Sequence, residues 1–172
     1  MKVVLYMAIT VNGYIAKEDD DTGFTSDIEW ESYRNMARKV GNMIIGQRTY
    51  KISLENNSFE DLEKVKVVVV TTKESMKTNN SNHFLVKSPQ EALAQLHDLG
   101  FETMLVAGGG KLNASFLAEN LIDEIYLDIE PTVFGQGIKL FVGKDFTAKL
   151  KLLGTKKLSP NELQLHYKVL KS

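Results

Sequence analysis

The sequence predicts one α/β domain: a three-layer α/β/α sandwich whose central sheet is mostly parallel and ends in an antiparallel C-terminal hairpin. Three observations lead there. Short apolar runs rich in Val and Ile alternate along the chain with helix-patterned stretches. Each alternation calls for a crossover, and crossovers generate parallel strands with helices on both faces. The pattern then changes at the end, where two alternating runs flank Ser159-Pro160-Asn161 with no helix between them, the signature of a hairpin. No internal repeat or linker-like tract interrupts the 172 residues, so residues 1–172 are read as a single domain.

Taken in order, Lys2–Ile9 is β-branched and apolar, a buried first strand. Asn12-Gly13 turns the chain into the acidic stretch KEDDDTG, read as a solvated loop. Ser26 and Asp27 can cap a helix over about Ile28–Val40, in which Trp30, Tyr33, Ala37 and Val40 recur every three to four residues. NMIIG is a second strand, and QRTYKIS starts a helix or turn directly after it. Val65–Val70, five valines around one lysine, is a central strand. His83–Val86 is another. SPQEALAQLHDLG carries the full set of helix signals: Ser88 as N-cap, Pro89 in the first turn, Glu91 as the capping-box acid and Gly100 as terminator. TMLVAGGG is a strand running into three glycines, KLNASFLAEN a helix, and DEIYLDIE a strand.

Composition narrows the function. With 21 basic and 22 acidic residues the formal net charge is −1, so no global field draws in nucleic acid. The absence of cysteine excludes disulfides and thiolate zinc sites and fits a reducing compartment. The N-terminal KVVLYMAITVNGYIA has no basic lead or cleavage site and is interrupted by Thr10, Asn12 and Gly13, so it reads as strand and loop rather than signal peptide. Nothing approaches the ~18 apolar residues of a membrane span. A cytoplasmic protein with no membrane and no nucleic-acid partner is expected, and no metal site is predicted.

In open α/β sheets ligands sit beyond the carboxyl ends of the strands. Four such ends run into small, hydroxyl or basic residues: Ala8 to Gly13, Gly46 to Tyr50, Thr71-Thr72-Lys73, and Ala107 to Lys111. Glycine permits close backbone approach, and a helix beginning immediately afterwards offers unpaired N–H groups to an anion. Arg48 and Lys73 would add cationic partners. Each end alone is weak, and three consecutive glycines are not the spaced glycines of a Rossmann fingerprint. Their shared edge is what makes a site.

Four blocks carry a family resemblance in order: LYMAITVNGYIA, MIIGQRTY, VVVVTTK and VAGGGKLNASFLAENLIDEIYLDIEPTVFGQG. The chain resembles the dihydrofolate reductase superfamily, especially the reductase domain of bifunctional riboflavin-biosynthesis enzymes. The resemblance implies a dihydrofolate reductase-like fold, NADPH as cofactor and a small pyrimidine- or pterin-like substrate. It implies that Ala8 and Ile15 flank the nicotinamide, with the loop from Asn12 to Asp21 closing over it. Arg48 and Thr49, after Gly46, would meet the phosphates, and Thr71, Thr72 and Lys73 the adenosine end. Gly108, Gly109 and Gly110 would line the pyrophosphate and nicotinamide, with Lys111 and Leu112 opening the next helix. Members of this group often have a cis bond within the glycine pair, and relatives of the riboflavin-reductase type are homodimers that pair near their C-terminal strands. Alternatives are a true dihydrofolate reductase and a non-catalytic NADPH-binding module.

Two carboxylates are candidates for the proton donor. Dihydrofolate reductases place an acid at the start of the first helix, which in SDIEW points to Asp27. In EIYLDIE, Ile125, Leu127 and Ile129 share one face while Tyr126, Asp128 and Glu130 share the other, which puts Asp128 in the middle of an inner strand. The three histidines, His83, His97 and His166, are scattered and read as surface residues. KISLENNSFEDLEK, where the riboflavin reductases carry a basic phosphoribose-binding segment, has no arginine.

Overall fold

A computed structural model describes Met1–Lys171. The elements follow as β1 (Lys2–Thr10), β2 (Tyr14–Ala16), α1 (Asp27–Val40), β3 (Asn42–Gly46), α2 (Gln47–Glu55), β4 (Lys66–Val70), β5 (His83–Val86), α3 (Pro89–Asp98), β6 (Thr103–Val106), α4 (Gly110–Ala118), β7 (Glu124–Glu130), β8 (Ile138–Lys139), β9 (Lys149–Lys157) and β10 (Leu163–Leu170). One eight-stranded sheet runs β5-β4-β3-β6-β1-β7-β10-β9. The six strands from β5 to β7 are parallel, while β10 and β9 are antiparallel to their neighbours. The expected sandwich and its C-terminal hairpin are therefore both present. Two short strands were not expected: β2 and β8 pair in a small separate sheet. At three and two residues they are too short to leave a periodic signal.

Alternation along the inner strands divides the core in two. Val3 and Leu5 of β1, Ile44 of β3 and Val68 of β4 face Ala92, Leu93 and Leu96 of α3 and Leu112, Phe116 and Leu117 of α4. Val4, Tyr6, Met43, Ile45, Val67 and Val69, one residue out of step, face Tyr33 and Ala37 of α1 and Tyr50 of α2. A one-residue slip would exchange these faces, so the register is fixed from both sides. The connections leaving β1 and β3 travel one way along the sheet on the α1/α2 face. Those leaving β5 and β6 return across it on the α3/α4 face. The adjoining ends of β3, β6 and β1 thus lie where the direction reverses, the place where such sheets form a crevice.

Capping differs among the helices. Ser26 caps α1 by accepting from Glu29 N, and Ser88 caps α3 by accepting from Glu91 N. The N-caps of α2 and α4 are Gly46 and Gly109, and no side chain caps either helix. His83, expected at the surface, is buried: its Nδ1 lies 2.9 Å from the Tyr50 hydroxyl beneath Phe59. Phe59 belongs to the segment between α2 and β4, so the histidine is covered by a residue that precedes β4 in the chain.

Candidate active site

A cleft of about 1240 Å³ opens across the carboxyl ends of β1, β3, β4 and β6. Ala8, Ile15, Gly46, Arg48, Thr49, Thr71, Thr72, Gly108, Gly109, Gly110, Lys111 and Leu112 all line it. Among the cofactor candidates only Lys73 lies outside the lining, exposed beyond β4. The sequence-predicted strand ends are thus gathered along one crevice.

The glycine run follows β6 and is built for close approach. Gly108 has φ +96°, a left-handed conformation that glycine adopts without steric cost, and the Gly108–Gly109 peptide is cis. Gly108 O accepts from Gly46 N at 2.8 Å, which ties the two uncapped helix starts together. A Cβ at Gly109 would lie 3.2 Å from Thr49 Oγ1, so the first turns of α2 and α4 almost touch. Two helices therefore present their N-terminal N–H groups and positive dipole ends side by side at the cleft wall. At the base of α2, Gln47 Oε1 accepts from Thr71 Oγ1 at 2.7 Å, joining α2 to the end of β4.

The segment after β7 closes one end. Leu140 N donates to Gly13 O, and Val142 N donates to Gly110 O at 3.0 Å. Asn12 holds Phe134 from both sides: its Nδ2 donates to Phe134 O at 2.6 Å and its Oδ1 accepts from Phe134 N at 3.2 Å. An aspartate keeps the acceptor, loses the donor and places a carboxylate against a carbonyl. Asn12→Asp is accordingly expected to cost about 1–2 kcal/mol in chemical denaturation, the effect of a broken hydrogen-bond pair.

The other end of the cleft holds aromatic rings and one acid. Trp30 and Tyr33 stack at 5.4 Å, with Tyr6 and Phe59 also in the lining. The acid is Glu29, which lines the cleft and is 3 % exposed. Burial pushes its carboxyl up to about 8, reinforced by the nearby charges of Asp128, Glu130 and Glu162. At neutral pH it is largely protonated, a neutral carboxylic acid facing the cleft.

Asp27, by contrast, is exposed and faces a smaller groove behind α1, shared with Lys39 and Lys156. Asp128 is buried but sits behind Tyr6 rather than in the cleft wall. Its Oδ2 accepts from the Tyr6 hydroxyl and its Oδ1 accepts from Gln164 Nε2 at 2.8 Å. The Ser32 hydroxyl lies 2.7 Å from the Tyr6 oxygen, so α1, β1, β7 and β10 meet in one hydrogen-bonded knot. Burial raises the Asp128 carboxyl, and the hydrogen bonds from Tyr6 and Gln164 partly offset it. Burial, then the Asp128 charge, raises the Tyr6 phenol. The polar face of β7 is more deeply buried than its alternation implied, with Glu130 as enclosed as Asp128.

Glu29 was missed by the sequence reading for an identifiable reason. S-D-I-E has the spacing of a capping box, in which the acid three residues after the cap turns back to its N–H. The cap bond from Glu29 N to Ser26 Oγ forms, at 3.0 Å. The return bond does not: Ser26 N donates instead to Glu130 Oε1 at 3.1 Å, from β7. A strand residue thus does the helix acid's capping work and leaves Glu29 free to face the cleft. Among the described residues no cluster of three or more His, Asp or Glu could hold a metal ion, despite these acids.

Fold and cleft together define the class, a dihydrofolate reductase-like α/β protein with a glycine-lined cleft across its parallel sheet. The chain belongs to the RibD C-terminal domain family, which matches residues 1–163. It is 31% identical over 170 residues to the uncharacterized protein YwjB of Bacillus subtilis (strain 168), covering 96% of this chain and 97% of that one. YyaP of the same strain is 21% identical over 182 residues, covering 96% and 94%. Among solved structures, Acinetobacter baumannii RibD superposes with a TM-score of 0.77 at 19% identity, over 98% of this chain and 58% of that one. The Thermotoga maritima diaminohydroxyphosphoribosylaminopyrimidine deaminase/5-amino-6-(5-phosphoribosylamino)uracil reductase gives 0.76 at 19% identity, over 98% and 56%. A Corynebacterium diphtheriae pyrimidine reductase-like protein gives 0.76 at 14% identity, over 99% and 92%.

Proposed function

We propose that this protein is an NADPH-dependent reductase that delivers hydride to a small pyrimidine- or pterin-like ring, resembling 5-amino-6-(5-phosphoribosylamino)uracil reductase. The observation that carries this reading is the pair of glycine-capped helix starts, α2 and α4, opening side by side into the cleft. Helices elsewhere in the chain satisfy their first N–H groups with serine, and these two leave them to a ligand. A dinucleotide pyrophosphate fits that cradle, with Arg48, Thr49 and Lys111 beside it. When bound, NADPH supplies the hydride. The chain's own contribution lies at the opposite end. The stacked Trp30 and Tyr33 offer an apolar wall for a flat ring, and Glu29, held neutral, can donate a proton to a ring nitrogen or oxygen as negative charge develops there. Family membership and the neighbours' reductase activities support the same reading. The row of exposed Leu150, Leu152 and Leu153 on the outermost strand β9 supports a homodimer assembled there. Among the described residues no helix is long and apolar enough to cross a membrane.

Trp30 is the sole tryptophan and lines the cleft, so its fluorescence reports ligand directly. NADPH is expected to quench it with saturation in the micromolar range. A flat titration up to ~1 mM, the upper end of ordinary KM values, would overturn the cofactor assignment. Steady-state NADPH oxidation with the aminouracil and with dihydrofolate then separates the pyrimidine reductase from a dihydrofolate reductase. Binding without oxidation of either substrate marks the non-catalytic module.

A further inference from the structure

At the α2 end of the cleft a loop carboxylate is paired with the first turn of the helix. Arg48, in the first turn of α2, donates from Nε to Asp20 Oδ2 at 2.7 Å, and its Nη2 lies 2.6 Å from the same oxygen. Asp20 belongs to the loop between β2 and α1 and lines the cleft together with Arg48. Within that loop, residues 17–25 bond mainly to one another: Lys17 N to Asp21 O, Asp20 N to Lys17 O, Gly23 N to Asp21 Oδ1 and Thr25 N to Thr22 O. Phe24 packs on Phe134, of the segment between β7 and β8. The polar tie from this loop to α2 is Asp20 to Arg48. Asp20 makes it from a left-handed backbone conformation, φ +69°, so the turn itself aims the carboxylate across the opening.

The electrostatics sharpen the point. Glu18, Asp19, Asp20 and Asp21 stand in a row beside a helix start otherwise suited to phosphate, with Lys17 already engaged by Asp21 at 2.7 Å. A carboxylate with its partners in plane is a passable imitation of a phosphate oxygen on a guanidinium. We infer that Asp20 is a built-in competitor for the phosphate seat of Arg48: it straps the 17–25 loop across the cleft in the free protein, and a dinucleotide phosphate binds by taking Arg48 from it. This rests on the proposed NADPH site and adds to it a residue that sets the affinity. Asp20 lowers cofactor affinity, because each binding event must first break the strap, and the released acidic loop is then free to move away from the incoming phosphates.

The test has two arms. In ligand-free protein, hydrogen–deuterium exchange of peptides spanning residues 17–25 is expected to speed up by about two- to fivefold in both Asp20→Asn and Arg48→Gln, the range set by one exposed ion pair. Unchanged exchange in Asp20→Asn would overturn the strap, and this arm needs no cofactor. In the second arm, NADPH titrations of Trp30 fluorescence are expected to show tighter binding in Asp20→Asn by about two- to fivefold at low salt, a gain that shrinks as salt screens the pair. In the Arg48→Gln background the same Asp20→Asn change is expected to have no effect. Weaker or unchanged binding in Asp20→Asn, or an equal gain without Arg48, would overturn the competition. Quenching in none of the variants would remove the cofactor site and the competition with it, while the exchange arm still decides whether the strap exists.

Discussion

Replacing Glu29 with glutamine is expected to leave stability near pH 5 almost unchanged and to raise it by about 3–5 kcal/mol near pH 9. The sign follows from the direction of the shift. In the unfolded chain the carboxyl ionises around its ordinary 4.5, whereas in the folded protein it stays protonated to about 8. Below 4.5 both states hold the proton and Glu29 costs nothing. Between 4.5 and 8 the unfolded chain has lost its proton while the folded protein keeps it, so stability falls steadily with pH. Above 8 the loss is complete. Glutamine has no proton to lose and escapes the whole decline. Asp128, Glu130 and Glu162 titrate in both proteins, so the difference between two denaturation series reports Glu29 together with its coupling to those acids. A gap that does not change with pH would mean that Glu29 is ionised throughout. The same substitution is expected to lower turnover by about 10²–10⁴-fold, the usual contribution of a positioned general acid, with NADPH binding unchanged. In the wild-type protein the rate should fall as pH rises through 8, where the donor is lost.

Gly110→Ala is the second large effect. Gly110 begins α4, and a Cβ there would run into the carbonyl oxygen of Lys139 and lie 3.0 Å from Val142 Cγ2. The first of these atoms is backbone, in the segment held to Gly110 itself by Val142 N, so neither side can yield without unpicking the other. A loss of about 1–3 kcal/mol, typical of forced overpacking, is expected in denaturation, together with weaker NADPH quenching of Trp30 as the segment over the cleft shifts. Gly154 in β9 has open space where its Cβ would be, so Gly154→Ala serves as the control and should leave NADPH quenching intact. If both variants bound NADPH as the wild type does, the close approach at Gly110 would carry no weight in shaping the cleft.

The two residues show what the sequence could and could not disclose. Gly110 was legible because glycines after a strand announce close backbone approach whatever they approach, and a local pattern suffices. The alternation of strands and helices and the hairpin around Ser159-Pro160-Asn161 were legible for the same reason. Glu29 was not. Its local pattern has the spacing of a capping box, and only the arrival of Glu130 from a strand some hundred residues later takes the return bond and releases it. Asp27, two residues earlier, carries the position that the family pattern favours, yet the helix turns it outward to the groove behind α1. Burial of His83 beneath Phe59 and the pairing of β2 with β8 likewise depend on segments distant in the chain. Local chemistry is written in neighbouring residues, whereas the direction in which an acid points is decided by what packs against it.

The stretch between β7 and β9 has a bearing on how the cleft opens. It is stitched to the β1–β2 turn through Asn12 and Gly13 and to the start of α4 through Gly110. Asn113 Nδ2, one turn into α4, adds another bond to Leu140 O at 3.1 Å. Those stitches bind together the two walls that meet at the glycine run, so that end of the cleft behaves as a closed seam. The 17–25 loop adjoins this seam where Phe24 packs on Phe134, and its far edge reaches α2 through the polar tie of Asp20 to Arg48. Entry and exit are therefore one-sided, like a purse with a sewn back and a clasp in front. Ligands that differ only at the seam should differ in fit, and ligands that differ only at the clasp should differ in how fast they come and go.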